Sequence, residues 1–279
     1  MTGPPTTTAE GRGDDRSSSG DSLVAFLFGV AGVPELPGVA LTQLLVDLGM
    51  SVAAARRQIT RMRAEGRLAS SRSGRGAAYR LAGSFGATFA RLRSDRGGPP
   101  ALPEWTGAFH GLLFQVPETQ RSFRNRLRAR ALHVGYGMAQ PGVLIAVQDR
   151  RAEIAEVVAE APAGALVHHV RIAMELPDAA AVVVRAWDLP ALSADLCARL
   201  GELEDALADP VDPPPDVGTL RRLAWLVAGT SAALVRDPLL PAQLCPPDWP
   251  SHRVRITLDA VKDRYVPPAG RYVRTLGVR

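Results

Sequence analysis

The chain has 279 residues, of which 46% are hydrophobic and 22% charged, a composition typical of a folded protein with two or three domains. Its formal net charge of +5 permits an anionic partner. The two cysteines, Cys197 and Cys245, have no metal-ligand or disulfide spacing. The sequence contains no P-loop, dinucleotide fingerprint, nucleophile elbow or HExxH motif. We therefore expect a protein that is not an enzyme, with no catalytic residues, no metal and no cofactor.

The first residues and the apolar run after them decide whether the chain has a membrane segment. Residues 1–21 have no apolar stretch, so we interpret them as a disordered tail rather than a signal peptide or anchor. The apolar run over residues 23–46 is long enough to cross a membrane, but glycines and prolines interrupt it. It is therefore interpreted as two short helices and a loop. We expect a cytoplasmic protein with no membrane contact.

Residues 22–95 have the signals of a winged helix-turn-helix domain. Helices are predicted over residues 23–29, 41–48 and 51–65, and a hairpin over residues 67–71 and 77–81 with its turn at 72–76. Ser22 and Ser51 stand at N-cap positions, and Gly49 and Gly66 stand where a left-handed residue ends a helix. Short strand-like runs around a glycine-rich turn indicate a hairpin. The order helix, helix, turn, helix, hairpin is that of a winged helix.

Positive charge is concentrated in this domain. Residues 51–80 contain one acid, Glu65, and eight arginines: Arg56, Arg57, Arg61, Arg63, Arg67, Arg72, Arg75 and Arg80. That segment carries +7, which leaves −2 for the rest of a chain whose total is +5. A high overall arginine content does not explain the clustering. The sequence therefore predicts a basic module attached to a mildly acidic body.

The third helix is the predicted DNA-reading helix. At 100° per residue it has an apolar stripe of Val52, Ala55, Ile59 and Met62. Arg57 and Arg61 lie opposite this stripe, where they would enter a major groove, and Arg56 and Arg63 flank it, within reach of phosphates. Each arginine can contact a base edge or a phosphate. The predicted DNA-binding residues are Ser51, Arg56, Arg57, Thr60, Arg61, Arg63 and, in the hairpin turn, Arg72 and Arg75.

The rest of the chain predicts two further domains. Residues 96–103 have the composition of a linker. Residues 104–180 contain strand-like runs at 109–116, 143–147 and 166–176, and a helix from Pro117 to near Gly135. This mixture indicates a ferredoxin-like domain, so the fold class is α+β. Residues 185–279 are a helical domain, with helices over residues 192–207, 219–235 and 252–265.

An arginine-rich segment in the middle domain is the predicted effector site. Arg121, Arg124 and Arg128 share one helical face and suit phosphate, on DNA or on a coenzyme A-like effector. The alternative is a solvated face paired with acids of the segment from Asp149 to Asp216. The adjacent His168 and His169 lie on a strand, so they point to opposite faces and cannot share one metal.

These features together resemble the PaaX family of transcriptional repressors, over residues 22–275. The N-terminal marks are Ser22-Leu23-Val24, Leu27-Phe28-Gly29, Leu48-Gly49, Arg72-Ser73-Gly74-Arg75 and Tyr79-Arg80-Leu81. The middle marks are Leu127, Gly135-Tyr136-Gly137 and Pro141-Gly142-Val143. The C-terminal marks are Trp187-Asp188-Leu189, Asp237-Pro238-Leu239-Leu240-Pro241, Leu244 and Pro247-Asp248-Trp249-Pro250. Chance agreement in three separated regions, in the right order, is improbable.

The resemblance implies a winged helix, a ferredoxin-like domain and a helical C-terminal domain. It also implies a homodimer on palindromic operator DNA, released by an acyl-CoA effector, phenylacetyl-CoA in the name-giving members. The chain departs from the family pattern at residues 228–232, where Ala-Gly-Thr-Ser-Ala replaces a polar and aromatic cluster, and at Ser251, which replaces a glycine. A pocket lined by these residues would accept a different molecule.

The leading hypothesis is a homodimeric, effector-responsive repressor that binds double-stranded operator DNA. One alternative keeps the DNA binding without the effector, as a constitutive repressor or activator. Another is a metal-dependent nucleic-acid-processing enzyme on the ferredoxin-like core. Such an enzyme needs clustered carboxylates, and the strand over residues 109–116 has none.

Overall fold

Separate chain segments come together in two units in the computed structural model, which describes residues 12–73, 76–94, 102 and 104–277. Unit 1 comprises Met1–Gly98, Asp209–Trp225 and Ala260–Arg279, and unit 2 comprises Pro99–Ala208 and Leu226–Asp259. Both termini of the chain thus contribute to unit 1. The linker predicted over residues 96–103 falls almost entirely outside the described residues.

Unit 1 begins with helices and a small sheet in the predicted order. In sequence these are α1 (Arg12–Ala31), β1 (Leu36–Pro37), α2 (Gly38–Asp47), α3 (Val52–Ala64), β2 (Leu68–Ser73), β3 (Gly76–Leu81) and α4 (Gly83–Ser94). The strands form an antiparallel sheet in the order β1-β3-β2. Strand β1, which falls in the segment interpreted as a loop, and helix α4 were not predicted. The prediction of a disordered tail is wrong for residues 12–21, which belong to α1, whereas residues 1–11 lie outside the described part of the chain.

Caps fix the ends of α2 and α3 as predicted. The Ser51 hydroxyl accepts a hydrogen bond from the Ala54 amide at 3.2 Å, and Gly49 and Gly66 adopt φ of +98° and +69°. The buried stripe of α3 differs at one position. Val52 is 48% exposed, and Gln58 is buried instead, at 7% exposure. Gln58 is buried because Asp21 of α1 supplies a partner for its amide.

Unit 2 contains a four-stranded antiparallel sheet between two cores. Its members are β4 (Ala108–Gln115), a 3-10 turn (Glu118–Gln120), α5 (Arg121–His133), β5 (Gly137–Gln140), β6 (Val143–Ala146), α6 (Arg151–Ala159), β7 (Leu166–Ala173), α7 (Leu176–Ala186) and α8 (Leu189–Ala208). The order β5-β6-β4-β7 interleaves two βαβ units, which is the ferredoxin-like topology. The predicted fold class is confirmed, although β5, α6 and α7 were not predicted.

The Asp-Pro-Leu-Leu-Pro segment has a structural role in unit 2. Leu240 and Leu244 pack with Phe109 in the core on the α7 side of the sheet. The buried carboxylate of Asp237 accepts hydrogen bonds from the Leu239 amide at 3.1 Å, the Trp249 indole at 3.3 Å and Arg255 at 3.3 Å. Leu239 has φ of +50°, which costs a branched residue free energy, and the Asp237 hydrogen bond offsets part of that cost.

Helices α9 (Val217–Val235) and α10 (Ser251–Thr275) complete the fold, and each contributes residues to both units. The sequence predicts that α10 ends near Tyr265, ahead of two prolines. It instead continues through Pro267 and Pro268. Tertiary contacts override the prolines, because Val273 is fully buried and the Tyr272 hydroxyl donates to the Asp47 carboxylate of α2 at 2.7 Å. None of the described helices is long and apolar enough to cross a membrane.

Candidate nucleic-acid interface

Helix α3 presents three exposed arginines that have no acidic partner among the described residues. These are Arg56, Arg57 and Arg63. Arg57 lies beside the exposed Thr60 and Ala53, which leave the helix backbone accessible between the long side chains. The cap residue Ser51 is also exposed, at the amino end of the same helix. Sequence reasoning placed all of these residues correctly on an exposed surface of α3.

Arg61 follows Arg57 by about one turn of α3, as the helical wheel predicts, but its side chain is engaged within the protein. Its guanidinium donates hydrogen bonds to the Asp21 carboxylate at 2.8 Å, to the Gln58 side-chain oxygen at 3.0 Å and to Glu65 at 3.2 Å. The side chain is only 31% exposed. This pairing was not anticipated because Asp21 was assigned to a tail, so that no acid was expected against this side of α3.

The hairpin adds a fourth exposed arginine near α3. Strands β2 and β3 pair from Leu68↔Leu81 to Ser73↔Gly76. The predicted contact Arg75 lies outside the described residues. Arg72 is exposed and lies on the same sheet face as Tyr79. The Arg63 guanidinium lies 5.9 Å from the Tyr79 ring centroid, which places this sheet face beside α3.

We call Arg56, Arg57, Arg63 and Arg72 the arginine face. Two other arginines of the basic segment are neutralised, because Arg61 and Arg67 both pair with Asp21 and Glu65. Among the described residues of the basic segment 51–80, the positive charge that is open to an anion therefore lies on α3 and the hairpin. Guanidinium groups at such positions can neutralise phosphates or donate paired hydrogen bonds to guanine edges.

The predicted effector arginines of α5 do not converge on one point. The Arg124 guanidinium donates to the Glu118 carboxylate at 2.8 Å, and this bond holds the pKa of Glu118 below its ordinary value. Arg128 contacts the Met138 sulfur at 3.6 Å and has a buried Nε without a partner among the described residues. Arg121 is exposed. Arg126, which is not one of the three predicted arginines, pairs with Glu160 at 3.0 Å.

A cleft in unit 2 was not anticipated from the sequence. It has a volume of about 540 Å³ and is lined by His133, Asp195, Arg199, Gly229, Ala232, Ala233, Val235 and Arg236. Arg199 pairs with Glu202 at 2.7 Å, and Arg236 pairs with Asp195. The cleft thus combines apolar walls from α9 with two guanidinium groups, each of which is paired with a carboxylate. It includes part of the 228–232 segment in which the chain departs from the family pattern.

Metal-ligating and nucleophilic side chains are scattered in the part of the chain that the structure describes. No group of three or more His, Cys, Asp or Glu residues there is arranged to hold a metal ion. His168 and His169 point to opposite faces of β7, as the strand period requires. Burial raises the pKa of the Cys245 thiol to about 11, which keeps it protonated.

Comparison with known families defines the class of protein that carries this surface. Three family models match in succession: PaaX-like protein over residues 19–85, PaaX protein central Cas2-like domain over residues 102–184, and PaaX-like protein C-terminal domain over residues 187–275. The chain belongs to the PaaX family of transcriptional regulators, which confirms the resemblance.

Comparison with solved structures supports the fold. The uncharacterized protein Rv0674 from Mycobacterium tuberculosis is similar, with a TM-score of 0.54 and 24% identity over 85% of this chain and 90% of that one. At this identity the likeness concerns the fold alone. The comparison with curated proteins found no match.

Proposed function

We propose that the chain is a sequence-specific DNA-binding regulator whose winged helix-turn-helix consists of α2, α3 and the β2–β3 hairpin. The observation that carries this proposal is the arginine face, four exposed guanidiniums without acidic partners among the described residues. Like charges held this close repel one another, and a phosphate backbone relieves that repulsion while it releases counterions. Family membership as a transcriptional regulator agrees with this surface.

The proposed roles follow from position. Arg57 and Thr60 lie at the centre of the exposed face of α3 and enter the major groove. Arg56 and Arg63 lie together on one side of them and hold phosphates, with Arg72 and the predicted contact Arg75 on the hairpin. The Ser51 cap places the first amides of α3 where a phosphate can bind. Arg61 is left out of this set, because its guanidinium is already satisfied within the protein.

We infer the oligomeric state from the number of base pairs that one helix can contact, and the sign of regulation from where such a dimer would bind. One helix in one groove reads only a few base pairs, so selectivity over a genome needs two heads on a palindromic site, roughly 34 Å apart. A homodimer supplies both heads by symmetry. We propose that the dimer binds across a promoter, where it would exclude polymerase and act as a repressor.

The proposed effector is a small molecule with an apolar part and an anionic part, such as an acyl-CoA thioester. The cleft of about 540 Å³ supports the apolar part, because Ala232, Ala233 and Val235 suit an acyl chain. Arg199 and Arg236 also line it, and an anion would bind them by displacing their carboxylate partners Glu202 and Asp195. A ligand that binds one conformation of the dimer more tightly shifts the population away from the DNA-bound form. A regulator without an effector is the competing possibility.

Binding to the chain's own upstream intergenic DNA tests this proposal. Fluorescence anisotropy across a salt series, with and without a panel of acyl-CoA thioesters, gives affinity, charge dependence and effector response together. We expect binding that survives competitor DNA, falls steeply with salt and is relieved by one thioester. Binding that no thioester affects would remove the effector. Binding without sequence preference would refute the regulator, and labelled DNA incubated with magnesium or manganese would then test for hydrolysis.

A further inference from the structure

A buried carboxylate ties α1 to the DNA-reading helix. The Asp21 side chain is 4% exposed, although it comes directly after a run of polar residues. Its Oδ1 accepts hydrogen bonds from the Gln58 amide at 2.6 Å and from Arg61 at 2.8 Å. Its Oδ2 accepts from Arg67, just beyond the end of α3. One carboxylate thus holds the middle of α3, its last turn and the residue that leads into the hairpin.

The remaining contacts of α3 fix its orientation poorly. The buried apolar residues of α3 are Ala55, Ile59 and Met62, a narrow stripe. Apolar packing is not directional, so a helix held only by such a stripe can rotate by a fraction of a turn at low cost. Hydrogen bonds are directional, and those to a charged group are the stronger kind. The Asp21 network therefore sets the angle at which the arginine face is presented.

The residue before Asp21 is shaped for the same contact. A Cβ on Gly20 would lie 2.5 Å from the Gln58 side-chain oxygen and 2.6 Å from its carboxamide carbon. Glycine at this position therefore allows α1 to approach α3 closely enough for the Asp21–Gln58 bond. A methyl group there would displace Gln58 without changing any charge.

The network is also electrically balanced. It contains two guanidiniums, of Arg61 and Arg67, and two carboxylates, of Asp21 and Glu65. The two guanidiniums are therefore neutralised within the protein and do not attract DNA bound to the neighbouring arginine face. Orientation and charge balance are separable, because Glu65 is the exposed C-cap residue of α3 itself, whereas Asp21 comes from another helix.

We infer that Asp21 is the positioning residue of the DNA-reading helix: it fixes the orientation of α3 and holds the charge of Arg61 away from DNA. This inference rests on the proposed function. It predicts that loss of the tie lowers sequence selectivity rather than DNA affinity in general. It also predicts that loss of a network acid raises non-specific affinity, because a released guanidinium adds a phosphate contact worth about −0.9 in the salt slope.

Three variants of the full chain separate the two effects. Gly20→Ala moves the Gln58 side chain out of the tie and keeps every charge, while the Arg61 and Arg67 bonds to Asp21 remain. Glu65→Gln removes an acid and keeps the tie, and Asp21→Asn removes an acid and weakens every bond of the tie. The probes are a random-sequence duplex pool and the duplex that wild-type protein enriches from it. Dissociation constants for both probes are measured across a salt series, and circular dichroism and thermal melting establish that each variant is folded at the assay temperature.

Selectivity is expected to fall roughly tenfold or more in Gly20→Ala and Asp21→Asn, comparable with one lost base contact, and to persist in Glu65→Gln. The salt slope on the random pool is expected to steepen in Asp21→Asn and Glu65→Gln and to stay unchanged in Gly20→Ala. A stabilising role alone would weaken binding to both probes in parallel and leave the ratio unchanged.

Unchanged selectivity in folded Gly20→Ala and Asp21→Asn would overturn the inference. If Asp21→Asn does not fold, the folded Gly20→Ala variant decides the question, because its ratio of affinities reports on orientation alone. A wild-type protein that enriches no sequence would contradict the proposed function, and the inference would fall with it. Enrichment by wild type with unaffected variants would contradict the inference only.

Discussion

Replacing Arg57 by alanine is expected to damage DNA binding while leaving the fold intact. Arg57 is exposed on α3 and forms no ion pair with a described residue, so the free energy of unfolding should change by less than about 0.5 kcal/mol. If its guanidinium reads a guanine, the lost contact is worth roughly 1–3 kcal/mol, or a dissociation constant about 5 to 150 times larger. If it holds a phosphate, the salt slope should become shallower by about 0.9.

Anisotropy titrations on the upstream duplex and on a random-sequence duplex distinguish these two roles. A base contact is lost on the upstream duplex alone, whereas a phosphate contact is lost equally on both. Arg185→Ala is the matched control, because Arg185 is an exposed arginine of α7, in unit 2. A folded Arg57→Ala protein that binds both duplexes within about twofold of wild type, at every salt concentration, would refute the assignment of α3 as the reading helix, since even one phosphate contact exceeds that.

Three further predictions concern stability. Asp237→Ala leaves Arg255 without its carboxylate, so urea unfolding should show a loss of about 2–4 kcal/mol; a change below about 0.5 kcal/mol would contradict the anchoring role. Ser51→Ala removes the α3 cap and should cost about 1 kcal/mol in the same assay, and an unchanged midpoint would show that the cap contributes nothing. Burial first, and then the bond to Asp47, raise the pKa of Tyr272 from 10.0 to about 12, so its contribution to stability is full below pH 10 and is lost as the pH rises towards 12. Tyr272→Phe should therefore lose less stability than wild type over that interval, and equal losses would contradict this.

Local signals in the sequence were sufficient for most of the fold. Ser51, Gly49 and Gly66 were read as helix ends from residue type alone, because capping is chemistry within one turn of the chain. The strand β6 was found because a short continuous apolar run is typical of a buried strand, and β4 and β7 were found from runs rich in apolar residues. Short β5 and the polar α6 carry weaker patterns and were missed.

Contacts distant in sequence explain the larger errors. Helix α10 passes Pro267 and Pro268 because its last turns are held by residues of α2, more than two hundred positions away in the chain. Likewise, no local pattern distinguishes Asp21 from the other acids of a polar segment. Its partners become visible only when α1 and α3 are folded together.

In the candidate site, too, features that depend on local sequence were predicted and features that depend on distant contacts were not. Exposure of Arg57 follows from the helical period and was predicted, whereas the orientation of Arg61 depends on the distant acid Asp21 and was not. The arginines of α5 that were predicted to bind an effector share a helical face, but their partners, such as Glu118, lie outside the helix. Periodicity therefore locates a surface, and tertiary pairing decides which of its charges remain open to a ligand.

Hydroxyl-radical footprinting of the upstream intergenic DNA tests the central claim most directly. A sequence-specific dimer that reads with two α3 helices should protect two short windows on one face of the duplex, with centres roughly 10 base pairs or a multiple apart. The windows should disappear with Arg57→Ala and persist with Arg185→Ala. Uniform protection along the fragment, or none at concentrations that give full binding, would contradict the account.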